Sequence, residues 1–271
     1  MATVLQTNWD SGPGVGSIHL NSPMQANFTA GSLLVAAVTW EVPGITGIGC
    51  SDNHNGSWHL DADSGTLAGS GGSGGGRIAF FSVTNTFSGA ATMTITASWT
   101  TTSAALISFY ELASPAPFDT TGTAKSGTTT LTALGFSITP SGSSEFVVVC
   151  GMSNSSTAVA ADAGYSSATT NQTTGAPIAV GNNINFHSHE YLASASGAQS
   201  LNFHGTGSGG ACMFGAAYGV SGLIVPSAGA ATLSGQSPAN IQGNIITPST
   251  AKVRDSFRSI FLPRYRGLVH G

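Results

Sequence analysis

ATMTITASW, residues 91–99, alternates without a break: Met93, Ile95 and Ala97 stand on one side of an extended chain, and Thr92, Thr94, Thr96 and Ser98 on the other. Successive side chains of a strand point to opposite faces, so this run makes one dry face and one wet face. On a helix the same residues would be scattered round the axis. The dry face needs a core, and the strand needs a sheet.

Working outward, similar segments recur with Gly, Pro and Ser clusters between them. They are TVLQTNW (3–9), SLLVAAVTWE (32–41), GSWHLDA (56–62), RIAFFSVT (77–84), ALISFYEL (105–112), TALGFSIT (132–139), EFVVVCGM (145–152), INFHSHEYL (184–192), QSLNFH (199–204) and ACMFGAAYGV (211–220). Leu33–Val38 and Phe146–Cys150 are apolar on both faces, which fits central strands covered by a second sheet or by a neighbouring subunit. Helical periodicity is absent before residue 252. About eleven short strands at this spacing predict an all-β protein: an antiparallel β-sandwich of jelly-roll type over residues 1–220, with an extended C-terminal arm.

Composition agrees. Of 271 residues 41 % are hydrophobic, enough for a core, while only 7 % are charged, roughly a third of the usual share. The first sixteen residues lack the charged start, apolar run and cleavage site of a secretory signal, so synthesis in the cytoplasm is expected. Leu33–Trp40 is the best apolar run and falls far short of the ~20 residues of a membrane span, so no membrane partner is expected. Cys50, Cys150 and Cys212 are odd in number and widely spaced, and the last two lie in apolar runs; buried free thiols are expected.

Several motifs carry a chemical reading and a conformational one. His187 and His189, two apart in FHSHE, would put both rings on one face of a strand as a zinc site requires, with His204, His54, His59 or Glu190 to complete it; a polar strand face explains them more simply. Asp52, Asn53 and Asn55 before Gly56 could hold calcium, but an Asx-rich turn between strands needs the same residues. The run LAGSGGSGGGR (67–77) is followed by a strand, where a phosphate-binding loop needs a helix. Glu41, Glu111, Asp119 and Glu145 are the carboxylates a glycosidase could use, and no spacing pairs them. The GxSxG spacing occurs only inside the glycine run, at 71–75, which leads into a strand and not into the helix of a nucleophile elbow. The expectation is a non-enzymatic protein with no catalytic residue, no metal and no cofactor.

Charge divides the chain in two. Residues 1–251 hold two basic side chains, Arg77 and Lys125, against ten acidic ones, a formal charge of −8; residues 252–271 hold five basic ones against Asp255, a charge of +4. Between them, 221–251 is a Pro-, Gly- and Ser-rich linker with no clustered apolar residues, long enough at ~3.3 Å per residue to span ~100 Å. In the tail, Val253, Phe257, Ile260 and Phe261 fall at helical spacing up to Pro263, and Arg254, Arg258, Arg264, Tyr265 and Arg266 interleave with them. Cations alone would invite a nucleic-acid backbone, yet this apolar density suits a protein groove better, so these nine residues are the predicted partner-docking set.

GSLLVAAVTW (31–40), CSDNHNGSWHL (50–60), RIAFFSVTN (77–85), ISFYELASPAPFDTTGTA (107–124) and SEFVVVCGM (144–152), in this order, resemble a jelly-roll β-sandwich domain family of tailed-phage virion proteins and bacterial surface proteins. The resemblance covers roughly residues 1–220 and implies a structural or adhesive module without catalytic residues. It implies a virion structural protein, a capsid decoration (cement) protein anchored through its C-terminal arm. The partner would be the major capsid protein or another virion protein, and the chain a homo-oligomer, a trimer by analogy. The alternative is a tail-fibre or surface adhesin module that binds host glycans through solvent-facing aromatics, for which Trp9, Trp40, Trp58 and Trp99 are the candidates.

Overall fold

The protein is described by a computed structural model covering residues 2–12, 17–20, 26–41, 44–67, 76–89, 93–100, 103, 105–113, 117–127, 134–153, 165–173, 186–201 and 210–219. The elements among them are seventeen strands, all paired antiparallel. The first nine are β1 (Val4–Gly12), β2 (Ser17–Leu20), β3 (Leu33–Trp40), β4 (Gly49–Asp52), β5 (Gly56–Ser57), β6 (His59–Asp63), β7 (Arg77–Thr84), β8 (Ile95–Ser98) and β9 (Ala105–Leu112). The remaining eight are β10 (Phe118–Thr121), β11 (Lys125–Gly127), β12 (Phe136–Ile138), β13 (Ser143–Ser153), β14 (Ser166–Thr173), β15 (Phe186–Ser196), β16 (Gln199–Leu201) and β17 (Ala211–Tyr218).

They form four sheets. A large sheet of the first half runs β1-β9-β3-β7-β6 and a small one β2-β8-β4-β5; the second half has a large sheet β10-β17-β13-β15-β14, with β11 also on β17, and a small pair β12-β16. The second half repeats the plan of the first: the opening strand lies on the last, the last on the long strand that starts the centre, and that strand on the next long one. Even an irregularity recurs. The register slips between Val4 (opposite Leu112) and Gln6 (opposite Glu111), and again between Phe118 (opposite Tyr218) and Thr120 (opposite Ala217).

Side-chain parity stacks the sheets. In β3, Leu34, Ala36, Val38 and Trp40 face the small sheet, packing with Met93, Ile95, Ala97 and Trp99, while Leu33, Val35 and Ala37 face the other way. There they meet Phe146, Val148, Cys150, Phe214 and Tyr218 of the second large sheet. The opposite face of that sheet, with Val147, Val149 and Met213, is covered by Phe136, Ile138 and Leu201 of β12 and β16. Both large sheets are therefore inner layers, which is why β3, β9 and β17 are buried at every position. The strand of the opening stretch is an outer layer. Met93, Ile95 and Ala97 are wholly buried, Thr94 and Thr96 half-buried, and Ser98 exposed.

The start of β7 has no room for a side chain. A Cβ on Gly76, the residue that enters β7, would collide with the Met152 side chain and the Trp40 carbonyl. Beside it Arg77 donates through Nε to Asp63 Oδ1 at 2.9 Å, through Nη2 to Asp63 Oδ2, and through Nη1 to the Ile45 carbonyl. One of the body's two cations is thus consumed inside the fold.

Candidate functional site

The predicted docking residues Val253, Arg254, Phe257, Arg258, Ile260, Phe261, Arg264, Tyr265 and Arg266 lie outside the described residues, as does the linker 221–251. So do most of the glycine run, residues 68–75, and His204. What the structure does place is the chemistry of the body.

His189 sits between the two large sheets, fully buried. Its Nε2 is 2.7 Å from Thr39 Oγ1 and its Nδ1 2.9 Å from Ser108 Oγ, both hydroxyls on the facing sheet. A hydroxyl both donates and accepts, so a neutral imidazole is matched in either tautomer. The ring ties two layers together. His187 is on the same strand, and no group of three or more metal-ligating side chains occurs among the described residues.

The Asp52 cluster is a turn. Oδ1 of Asp52 accepts from the main-chain N–H of His54 (2.6 Å) and Asn55 (2.5 Å), and Oδ2 from Asn55 Nδ2 (3.0 Å) and Trp58 Nε1 (2.6 Å). Asn55 Oδ1 accepts from Thr86 N and Oγ1, Asn53 Oδ1 from Thr94 N, and Gly56 takes a φ of 78°. Every oxygen proposed for calcium faces a hydrogen-bond donor, the arrangement of an Asx turn. Asp52→Ala is expected to cost about 2–3 kcal/mol, with a red shift of Trp58 fluorescence; denaturant melts followed by fluorescence check both.

Of the four candidate carboxylates, Glu111 is wholly buried and structural. It accepts from Gln6 Nε2 (2.6 Å), Thr29 N (2.8 Å) and Ser32 Oγ (2.8 Å). Asp119 and Glu145 are brought together. Asp119 accepts from Ser141 N at 2.8 Å and from Ser141 Oγ, and Glu145 Oε1 accepts from Gly142 N at 2.5 Å. Burial and then the neighbouring Asp119 push the Glu145 carboxyl above the usual range. Burial also presses Asp119 upward, but the Ser141 bonds and Glu145 outweigh it and hold its carboxyl low. Nothing in the spacing of Phe118, Asp119, Ser141 and Glu145 marks them as neighbours; the return of β17 past β10 and β13 assembles them.

Of the tryptophans, Trp40, Trp58 and Trp99 are core, and Trp9 on β1 is exposed. The three cysteines are buried and free, and burial raises their thiols, that of Cys212 to about 12. No family model, curated protein or solved structure matches the chain.

Proposed function

We propose that this chain is a non-enzymatic structural protein of a tailed-phage virion, a capsid decoration (cement) protein whose body sits on the shell and whose C-terminal arm anchors it to the major capsid protein or another virion protein. The observation that carries the reading is the division of the chain: a body of charge −8 followed, across a polar linker, by a tail of charge +4 studded with aromatic and aliphatic side chains. Such a tail is built for a protein surface, and a tethered second contact gains from high effective concentration.

The jelly-roll reading is supported by strand order. Gly56–Asp63 is one run broken at Trp58, whose first part joins the small sheet and whose second part edges the large one. Taken so, the first half sets its first, last, third and sixth strands against its second, seventh, fourth and fifth, the order of a jelly roll. A structural role is further supported by His189, Asp52 and Glu111, whose polar atoms serve packing and turns. Assembly as a homo-oligomer, a trimer by analogy, belongs to the same proposal.

Deletion of residues 252–271 is expected to leave the body folded and to abolish incorporation into particles, read by gel analysis of purified virions. Unchanged incorporation would sink the anchor. The exposed indole of Trp9 favours the second reading, an adhesin module for host glycans; Trp9→Ala tested on glycan arrays separates the two.

A further inference from the structure

We infer that the edge of β10 away from β17, unpaired among the described residues, is the seat of a C-terminal tail contributed by a second copy of this chain, with Phe118 taking an aromatic residue of the tail and Asp119 with Glu145 taking an arginine. The inference rests on reading 252–271 as a docking element and names its partner.

Four large apolar side chains stand exposed among the described residues, Leu5, Trp9, Leu60 and Phe118, all on outermost strands of the large sheets. Phe118 differs in what stands beside it. At Leu60 the nearby carboxylates are occupied: Asp61 by His59 and Tyr218, Asp63 by Arg77. At Phe118, neither Asp119 nor Glu145 has a cationic partner among the described residues. Glu145 is only 2 % exposed, yet its Oε2 has no hydrogen-bond partner among the described residues. A buried carboxylate oxygen left unmatched is costly, so the site is short of donors. The two carboxyls converge on Gly219, where a Cβ would stand 3.4 Å from Glu145 Oε1 and 3.9 Å from Asp119 Cβ.

A guanidinium meets this need, since its planar fork donates to two carboxyl groups at once. The chain's own body cannot supply one, Arg77 being engaged in its ion pair with Asp63. The tail carries four arginines, and Arg264-Tyr265-Arg266 follows Pro263. Added to β10 as a strand, this run would set both guanidiniums on one face, pair main chain with main chain, and bring an aromatic to Phe118. Opposite charges draw tail to body, and neighbouring copies on a shell hold the two at high effective concentration.

The test places a photo-reactive benzoylphenylalanine at position 118 of the full chain, mixes 14N- and 15N-labelled copies, irradiates, and maps cross-linked peptides by mass spectrometry. The expected result is capture of peptides from 252–271 in mixed-isotope pairs, at a yield falling about tenfold in Asp119→Asn/Glu145→Gln and in Arg264→Glu/Arg266→Glu. The second variant leaves the body untouched, so a folding defect in the first does not blur the outcome. Same-isotope pairs only, capture of other segments, equal capture of the tail from position 60, or yields unmoved by the arginine variant would each overturn the inference. Loss of particle incorporation on deleting 252–271 without this cross-link would overturn it and leave the anchor reading standing; the cross-link with unchanged incorporation would do the reverse.

Discussion

Glu111→Ala is expected to lower the unfolding free energy by about 3–5 kcal/mol, a large share of what holds a domain together. The side chain is fully buried, and three donors depend on it: the Gln6 amide, the Thr29 N–H and the Ser32 hydroxyl. The Ser32 hydroxyl also lies 2.7 Å from the Thr29 carbonyl, but that oxygen already receives Ser32 N and Asn85 Nδ2, so its proton is best spent on Glu111. Removing the carboxylate strands the Gln6 amide, leaves the Ser32 hydroxyl only the already twice-bonded Thr29 carbonyl, and unties the 29–32 turn from β9. Glu111→Gln keeps the volume and one acceptor, and should cost about 1–2 kcal/mol. Equilibrium denaturation of both variants checks the order. A loss under 1 kcal/mol for the alanine variant would show that the turn holds without its anchor.

The second half solves the same problem from another strand. Thr29 and Gly142 each stand four residues before the position that pairs with the end of the closing strand, Leu33 with Leu112 and Phe146 with Tyr218. Each donates its N–H to a glutamate Oε1, from β9 in one half and from β13 in the other. This explains why the doubling of the fold is invisible in the residues. What the halves share is parity, register and the capping of one turn, while the side chains that do it have changed: Val4 answers to Phe118, Gln6 to Thr120, Leu33 to Phe146.

All eleven segments picked out by apolar clustering contain strands, because burial on at least one face leaves a mark at period two. The strands without such a mark went unread. β14, SSATTNQT, has no large apolar residue, and β10 and β11 are short and polar; they are recognisable only as partners of β15 and β17. Layer number was equally hidden. An all-apolar strand such as β3 reads the same whether a sheet or a neighbouring subunit covers it, and only parity against Met93–Trp99 on one side and Phe146–Met152 on the other shows two covering sheets. Candidate chemistry was legible as residue type and illegible as contact. The sequence offered Asp52 as a ligand or a turn and His189 as a ligand or part of a polar strand face; Trp58 Nε1 and the main-chain donors make Asp52 a turn, while the Thr39 and Ser108 hydroxyls hold His189 in the interior and not on a polar face.

His189→Leu is expected to cost about 3 kcal/mol, although leucine is the more apolar residue and the site is closed to water. The reason lies with the partners. The Thr39 and Ser108 hydroxyls face His189 from the opposite sheet at 2.7 and 2.9 Å, among Cys150, Cys212 and Phe214. Leucine offers them neither a donor nor an acceptor, and the penalty is the loss of one partner at each of two buried hydroxyls, whose other polar neighbours are Cys150 and Tyr110. That penalty belongs to the mismatch and not to the histidine, so removing all three polar groups together should return most of the loss: the triple change His189→Leu, Thr39→Val and Ser108→Ala is expected within about 1 kcal/mol of the starting protein. A triple variant as unstable as the single one would mean that the ring is held for its shape in the inter-sheet layer and not for its hydrogen bonds.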